Sequence, residues 1–228
     1  MADTAVGLEF EAALALGRAG SEERLLVGLR RGDESAFEVL IQDYELPIFN
    51  LVSRLVDDSA DAADVVQEVF IKVFRKVTSF RGESSLRTWI YRIAVNEARN
   101  HRRWFARHKR REVTLEPLPG ETRGYSDWLE DAARSPFELA LDRETEKLVE
   151  DALRKVSPAF RAALVLREIE GLSYEEVAEI LQISLGTVKS KILRGREALR
   201  KSLAAELDRA SAVGTACGRP AKVASEGI

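Results

Sequence analysis

The sequence has little of what supports disulfide bonds, β-sheets or metal sites. Its 228 residues include one cysteine, six prolines and two histidines. The lone Cys217 excludes an internal disulfide and fits a reducing compartment. His101 and His108 have no cysteine or carboxylate at metal-ligand spacing, so we predict no metal and no other cofactor.

Signals for membranes and for catalysis are also missing. No apolar run approaches the about 18 residues that a membrane-spanning helix needs, and no secretory signal pattern opens the chain. A glycine-rich phosphate loop, a nucleophile elbow and paired carboxylates in an apolar setting are absent as well. We therefore predict a cytoplasmic protein without enzyme activity.

Helical periodicity is what the sequence does contain. Hydrophobic residues make up 45% of the chain, charged residues 32% and aromatic residues 7%. Apolar residues recur at helical spacing, whereas the alternation typical of strands is nearly absent, which predicts an all-α fold. We expect two small helical domains at 21–111 and 136–207, joined by a flexible acidic linker at 112–135. The ends at 1–20 and 208–228 are predicted to be disordered, with a frayed helix as the alternative for the first.

The stretch Ser173–Arg200 has the pattern of a helix-turn-helix. Its first residue forms a capping box with Glu176, and Ser184 can cap the second helix. Residues 187–201 carry six Lys/Arg against one acid. In known motifs a basic second helix of this kind lies in the DNA major groove. The plainer alternative is a helical hairpin with a solvated basic face.

The charge distribution favours nucleic acid although the net charge is only −3. Residues 87–111 carry nine Lys/Arg and one acid, whereas residues 112–146 carry ten acids and three Arg. Local fields, not the total charge, govern phosphate contact. Within 88–111 aromatic residues alternate with arginines, which suits opened DNA. For Trp89 itself a core position is favoured, since large aromatic residues usually pack inside. For Arg102–Arg111 nucleic-acid contact is favoured, and a flexible basic end is the alternative.

Three segments resemble the bacterial extracytoplasmic-function (ECF) sigma factors. They are DVVQEVFIKVFRKV at 64–77, FRGESSLRTWIYRIAVNEARN at 80–100 and LREIEGLSYEEVAEILQISLGTVKSKILRGREAL at 166–199. The likeness extends over residues 22–207 and is greatest to the sigma-E (RpoE-like) branch of the sigma-70 family. It implies a region 2-like domain at 21–111 and a region 4-like domain at 136–207.

The resemblance implies residue roles on three surfaces. The helix at 61–77 would bind the β′ clamp helices of RNA polymerase through Asp64, Gln67, Glu68, Phe70 and Lys72, although Phe70 also fits a core position. The −10 promoter element, with one flipped base, would contact Phe80, Arg81, Ser84, Ser85, Asn96, Arg99, Asn100 and Arg103. The helix-turn-helix from Tyr174 to Leu193 would bind the −35 element through Thr187, Lys189, Ser190, Lys191, Arg194 and Arg196.

The function implied by the resemblance is an alternative sigma factor. Such a protein binds core polymerase at the β′ clamp helices and the β flap and recognises promoter DNA. It also assists promoter opening for a stress or envelope-response regulon. An anti-sigma factor is a further expected partner, and membrane tethering would run through it without membrane insertion of this chain. The alternatives are a conventional helix-turn-helix regulator that binds operator DNA alone and an RNA-binding anti-termination module, which the duplex-reading motif disfavours.

Overall fold

The computed structural model describes residues 20–108 and 136–216. Side chains are described throughout these stretches except at 59, 136–144 and 210–216. Every regular element in the described residues is helical, which confirms the predicted all-α fold.

In the described residues, the helices form two groups along the chain. The first group is α1 over 20–31, α2 over Glu34–Leu55, α3 over Ala62–Lys76 and α4 over Leu86–His108. The second group is α5 over Pro136–Lys155, α6 over Pro158–Leu164, α7 over Tyr174–Leu181 and α8 over Leu185–Ala216. Short 3₁₀ turns cover Ser59–Asp61 and Val77–Ser79, and a π turn covers Val165–Ile169.

Helix α3 illustrates how apolar spacing builds the core of the first group. Val65, Val69 and Val73 recur one turn apart, and all three are buried against neighbouring helices. Burial of each such side chain stabilises the fold by about 1.5–3 kcal/mol. The helix predicted at 61–77 is observed at Ala62–Lys76, because this regular apolar face can be read directly from the sequence.

The second group is held together by a close crossing of α6 and α8. A Cβ atom at Gly195 would lie 3.4 Å from the carbonyl oxygen of Phe160 and 3.5 Å from Cβ of Leu164. Val188 and Ile192 of α8 are also buried. The missing side chain of Gly195 therefore sets how closely the two helices approach.

Several predicted segments differ from the structure or lie outside it. The disordered tail predicted at 208–228 is wrong over 208–216, because α8 continues to Ala216. Alanines at 210, 212 and 216 favour a helix, whereas Gly214 and Thr215 do not, so helix propensity alone does not explain the longer helix. Residue 20, assigned to the disordered lead, lies in α1. The rest of the lead, the linker at 112–135 and the chain beyond Ala216 lie outside the described residues.

We predict that Gly195→Leu destabilises the second group by about 1–3 kcal/mol, since a side chain at this crossing overpacks the core. The matched control is Gly186→Leu in the same helix, where an added Cβ meets open space. The control gains helix propensity and should be stabilised by up to about 1 kcal/mol. Urea unfolding midpoints measure both effects, and equal shifts in the two variants would contradict the prediction.

Candidate nucleic-acid interface

The predicted helix-turn-helix is present, and both of its helices are capped as expected. Ser173 Oγ accepts the Glu176 N–H at 3.2 Å, and Glu176 Oε2 accepts the Ser173 N–H at 2.8 Å, which completes the capping box. Gln182 is the C-cap residue that follows α7, and its φ of 55° lies in the left-handed region. Ser184 Oγ then accepts the Thr187 N–H at 3.3 Å at the start of α8. The turn between the helices is therefore fixed by local hydrogen bonds.

The start of α8 presents most of the predicted −35 residues within two turns of helix. Lys189, Ser190 and Arg194 are exposed, and Thr187 and Lys191 are half-buried. We call these five residues the α8 surface. Val188 and Ile192 are buried on the opposite side of the helix and anchor it to its own group. The basic side chains of α8 are thus held outward by an apolar face.

Arg196 differs from the other predicted −35 residues because it has a carboxylate partner. Its Nη2 donates to Glu168 Oε1 at 2.7 Å, and its Nε donates to the same oxygen at 3.2 Å. Any contact between Arg196 and a DNA phosphate must compete with this ion pair. Sequence reasoning missed the pair because Glu168 lies in the π turn, 28 residues earlier.

The loop between α3 and α4 turns Phe80 inward. The Phe80 side chain is 6% exposed, and its ring centroid lies 5.1 Å from that of Trp89. Ser85 Oγ accepts the Thr88 N–H at 3.1 Å and so caps α4. The Phe80 ring and the Ser85 hydroxyl therefore support the loop in this structure, although Ser85 is exposed. The base pocket to which the sequence assigns both residues stays a prediction.

The other predicted −10 residues differ in exposure. Arg81, Arg99, Asn100 and Arg103 are exposed, and Ser84 and Asn96 are half-buried. Trp89 is 8% exposed, which confirms the core position favoured from the sequence. Trp104 is 52% exposed and stacks on His108, with 4.5 Å between ring centroids. Of these two tryptophans, Trp104 is the one with a ring face that a base could reach.

The residues predicted to bind polymerase lie on α3 in three different environments. The exposed ones are Asp64, Gln67 and Glu68. Phe70 is buried, as its alternative core position required. Lys72 forms an ion pair with Glu97 of α4, so its charge already has a partner within the protein.

An apolar groove of about 550 Å³ runs between α2 and α3 beside these residues. Leu46 and Phe49 line it from α2, Ile71 and Phe74 line it from α3, and Gln67 lies at its edge. Sequence reasoning missed the α2 side of the groove. The sequence does contain a sign of this groove, because α2 has more apolar residues than one buried face of a helix requires.

The two helical groups contact each other through α4 and the helix-turn-helix. Tyr91 Oη donates to Glu170 Oε2 at 2.8 Å, and Arg87 donates to the Glu170 carbonyl oxygen at 3.1 Å. Arg92 and Glu179 form an ion pair at 3.6 Å. Burial, together with the Glu170 carboxylate, raises the pKa of Tyr91 to about 12, so this phenol stays protonated and donates. All three contacts join α4 to residues in or next to the helix-turn-helix.

Asp57 forms a second link between the groups. Its Oδ2 accepts from Arg102 Nε at 3.0 Å, and its Oδ1 accepts from Nη1 of the buried Arg161 at 3.2 Å. Burial disfavours the carboxylate, but the hydrogen bonds and charges of Arg102 and Arg161 outweigh it and lower the pKa of Asp57. Because this pKa is lowered, the contact stabilises the protein at neutral pH and is lost only as the pH falls through the lowered value.

One cleft between the groups contains residues from both predicted DNA surfaces. Arg99 of α4 and Lys191 of α8 line the same cleft of about 380 Å³. Its walls are otherwise mainly apolar and include Val95, Ala162 and Ile183. A cleft of this volume cannot hold a DNA duplex, whose major groove alone is about 12 Å wide. Arg99 and Lys191 therefore cannot both hold one duplex inside this cleft while the groups are packed in this way.

Comparison with known proteins identifies both groups. Sigma-70 region 2 matches residues 40–109, and Sigma-70, region 4 matches residues 146–199. The RNA polymerase sigma-H factor of Pseudomonas aeruginosa is 40% identical over 185 residues, which cover 80% of this chain and 93% of that protein. The ECF RNA polymerase sigma-E factor of Escherichia coli (strain K12) is 38% identical over 180 residues, which cover 78% of this chain and 92% of that protein.

Solved structures share the helical fold. CnrH in complex with the cytosolic domain of CnrY aligns with a TM-score of 0.56 at 23% identity, covering 81% of this chain and 97% of that chain. The sigma factor RpoE in complex with the anti-sigma factor NepR from Bartonella quintana aligns with a TM-score of 0.57 at 24% identity, covering 73% and 96%. At these identities the likeness establishes the fold.

A capped helix-turn-helix and a basic helix on a second helical group define a DNA-binding protein of the transcription apparatus. The chain belongs to the ECF group of the sigma-70 family and is an alternative sigma factor of RNA polymerase. The family resemblance found in the sequence is thereby confirmed.

None of the described helices combines the length and the apolar composition needed to cross a lipid bilayer.

We predict that the double variant Glu170→Ala/Glu179→Lys loosens the packing between the helical groups. It removes the Tyr91 hydrogen bond and replaces the Arg92 ion pair with a repulsion. Two such contacts of about 1 kcal/mol each shift the balance toward separated groups by roughly tenfold or more. Small-angle X-ray scattering should record a larger radius of gyration.

The control for this variant is Glu175→Lys, which changes an exposed carboxylate on the same helix. It should leave the scattering curve unchanged. Equal curves for the parent, the double variant and the control would show that these contacts do not hold the groups together.

Proposed function

We propose that this sigma factor guides core RNA polymerase to promoters through three separate surfaces, with no catalytic activity of its own. The observation that carries the proposal is that helices such as α3 and α8 have one buried apolar face and one exposed polar face. On α3, Asp64 is exposed beside buried Val65. On α8, Arg194 is exposed beside buried Ile192. Polar side chains held outward in this way are available to partners.

The first surface would bind core polymerase at the β′ clamp helices. It combines the exposed Asp64, Gln67 and Glu68 with the apolar groove between α2 and α3. A polar rim around an apolar centre is the usual composition of a protein–protein interface. Phe70 and Lys72 would act indirectly, since Phe70 is buried and Lys72 is paired with Glu97.

The second surface would hold the non-template strand of the −10 element. The stretch 81–84 would contact a flipped base, with the buried pair Phe80 and Trp89 as its support. Arg99, Asn100 and Arg103 on α4 would contact the phosphates and bases that follow. Ser85 would serve through its capping role, and Asn96 from its half-buried position. Base capture costs a few kcal/mol of unstacking, which these contacts must offset.

The third surface would read the −35 element as a duplex through the α8 surface. Phosphate contacts position the helix, and base-edge contacts supply specificity. Arg196 would join these contacts only after releasing Glu168. The β flap of polymerase would hold this half of the protein in place. Region boundaries at 21–111 and 136–207, with a linker at 112–135, remain part of this proposal.

Regulation by an anti-sigma factor is also part of the proposal. CnrH and the Bartonella quintana RpoE are each held in a complex, with CnrY and with the anti-sigma factor NepR respectively. An equivalent partner of this chain would keep it inactive, and a membrane-bound partner would tether it. The protein would act in the bacterial cytoplasm, at the nucleoid when active, on a stress or envelope-response regulon.

Promoter-specific transcription with purified core polymerase tests the function directly. We expect initiation at a cognate promoter only when this protein is added. We also expect the free protein to bind the same DNA weakly, because polymerase supplies most of the contacts. Tight binding of operator DNA by the protein alone, without any gain in initiation, would instead establish a conventional helix-turn-helix regulator.

We predict that Asp64→Arg and Gln67→Ala each weaken association with core polymerase by roughly tenfold, the effect of losing a strong interface contact. Both residues are exposed, so the unfolding midpoint should change little. A competition assay against a labelled sigma factor measures the affinity.

The matched control for Asp64→Arg is Glu38→Arg, another charge reversal at an exposed position in the same helical group. Unchanged affinity in the α3 variants, or an equal loss in the control, would remove α3 from the polymerase interface.

A further inference from the structure

We propose that α1 braces the candidate −10 loop and that Glu22 and Arg30 are its positioning residues. The inference deepens the proposed function and rests on it, because it assumes that residues 81–84 contact promoter DNA. Both positioning residues precede residue 40, where the match to sigma-70 region 2 begins.

The two contacts fix the loop at both of its ends. Arg30 Nη2 donates to the carbonyl oxygen of Phe80 at 2.7 Å, directly before the exposed stretch of the loop. Glu22 Oε1 accepts the backbone N–H of Leu86 at 2.6 Å, directly after it. These partners are 50 and 64 residues apart in the sequence. A single helix thus holds the backbone on either side of the segment that would receive the base.

The Glu22 contact also shapes the start of α4. Leu86 is the first residue of α4, and the N–H groups of the first turn have no acceptor within the helix. Ser85 accepts the Thr88 N–H and Glu22 accepts the Leu86 N–H. A carboxylate at this position also interacts favourably with the positive end of the helix dipole. Glu22 therefore sets the point at which the loop ends and the helix begins.

Close packing of α1 onto α2 puts these side chains within reach of the loop. Leu29 is 1% exposed and anchors α1 in the core. A Cβ atom at Gly28 would lie only 2.7 Å from Cβ of Ala36, so a larger residue would force the helices apart. Glu22 and Arg30 are eight positions apart, which is about 12 Å along a helix. The two positioning residues therefore lie a fixed distance apart on a helix that is anchored in the core.

The contacts act on loop shape more than on the core. The Phe80 ring packs on Trp89 independently of the Arg30 contact, which is made by the Phe80 backbone. Gly82, with φ of 75°, occupies the left-handed region in the middle of the loop. A loop fixed at both ends loses less conformational freedom when it binds a strand. Without these two contacts the loop would lose that conformational freedom on binding DNA, which would lower the affinity for DNA.

The test uses holoenzyme assembled from core polymerase and the full chain. Affinity is measured for a single-stranded −10 oligonucleotide and for its scrambled counterpart. Arg30→Met and Glu22→Ala should each weaken specific binding of the −10 strand by roughly tenfold, the effect of losing a charged hydrogen bond. Assembly with core polymerase and the thermal unfolding midpoint should match those of the parent protein.

Conservative variants and neighbouring residues separate positioning from general stability. Arg30→Lys and Glu22→Gln retain a donor and an acceptor respectively, so each should restore much of the −10 affinity. Arg31→Met and Glu23→Ala change exposed neighbours on the same helix and should bind as the parent does. Should a variant lose thermal stability, strand affinity relative to core affinity at a lower temperature still reports on the loop.

The outcomes distinguish the brace from the function on which it rests. Parent holoenzyme that does not prefer the −10 strand over the scrambled strand would refute the proposed role of the loop. Parent preference that Arg30→Met and Glu22→Ala leave unchanged would overturn the brace alone. An equal loss in the Arg31 and Glu23 controls would also overturn it, because the effect would then belong to the whole helix.

Discussion

The burial of α4 on nearly all sides of its first half is the constraint on which the rest of the structure depends. Leu86, Ile90 and Ala94 are fully buried in the first helical group, and Tyr91 is buried toward the second. A helical segment with apolar residues on most of its sides needs neighbours on most of its sides. Helices α2, α3 and α7 supply them, and the basic second half of α4 extends beyond this packing. One helix therefore fixes the core, the loop before it and the contact between the groups.

The distribution of ion pairs explains how a chain with a net charge of −3 can contact DNA. Lys72, Arg102 and Arg196 are neutralised by carboxylates of the same chain, at Glu97, Asp57 and Glu168 respectively. Other cations, such as Arg99 and Arg194, are exposed on the predicted DNA surfaces. Phosphate responds to these local fields, so the total charge is a poor guide. Of these three pairs, the one between Arg196 and Glu168 involves a predicted −35 residue, and DNA must compete with it.

Features with local causes were predictable from the sequence, and features with distant partners were not. The capping box at Ser173 depends on a residue three positions away, and the apolar face of α3 repeats within one helix, so both were found. The inward turn of Phe80 was missed, because Trp89 packs against it only after α4 folds back. The brace of Arg30 on the Phe80 carbonyl spans 50 residues and involves no sequence motif. The local sequence pattern therefore predicts the helices and their caps. Which side chains of the loop between α3 and α4 are exposed depends on tertiary packing.

The contact between the helical groups is well suited to being temporary. Its ion pair between Arg92 and Glu179 is partly exposed, and pairs of this kind contribute about 0–1 kcal/mol. The Asp57 contact joins an exposed carboxylate to the buried guanidinium of Arg161, which also donates to the carbonyl oxygens of Arg154 and Val156 in its own group. Arg161 therefore keeps hydrogen-bond acceptors when the Asp57 contact opens. A partner that binds only the separated groups shifts the balance by its differential affinity for the two forms. Core polymerase would be such a partner if it engages α3, which lies outside the cleft, while drawing the α8 surface away from α4. In the packed form Lys191 is half-buried in the cleft, whereas Lys189 and Arg194 of the α8 surface and Asp64 of the polymerase surface are exposed. Separation of the groups would therefore change the relative placement of the DNA surfaces more than their exposure.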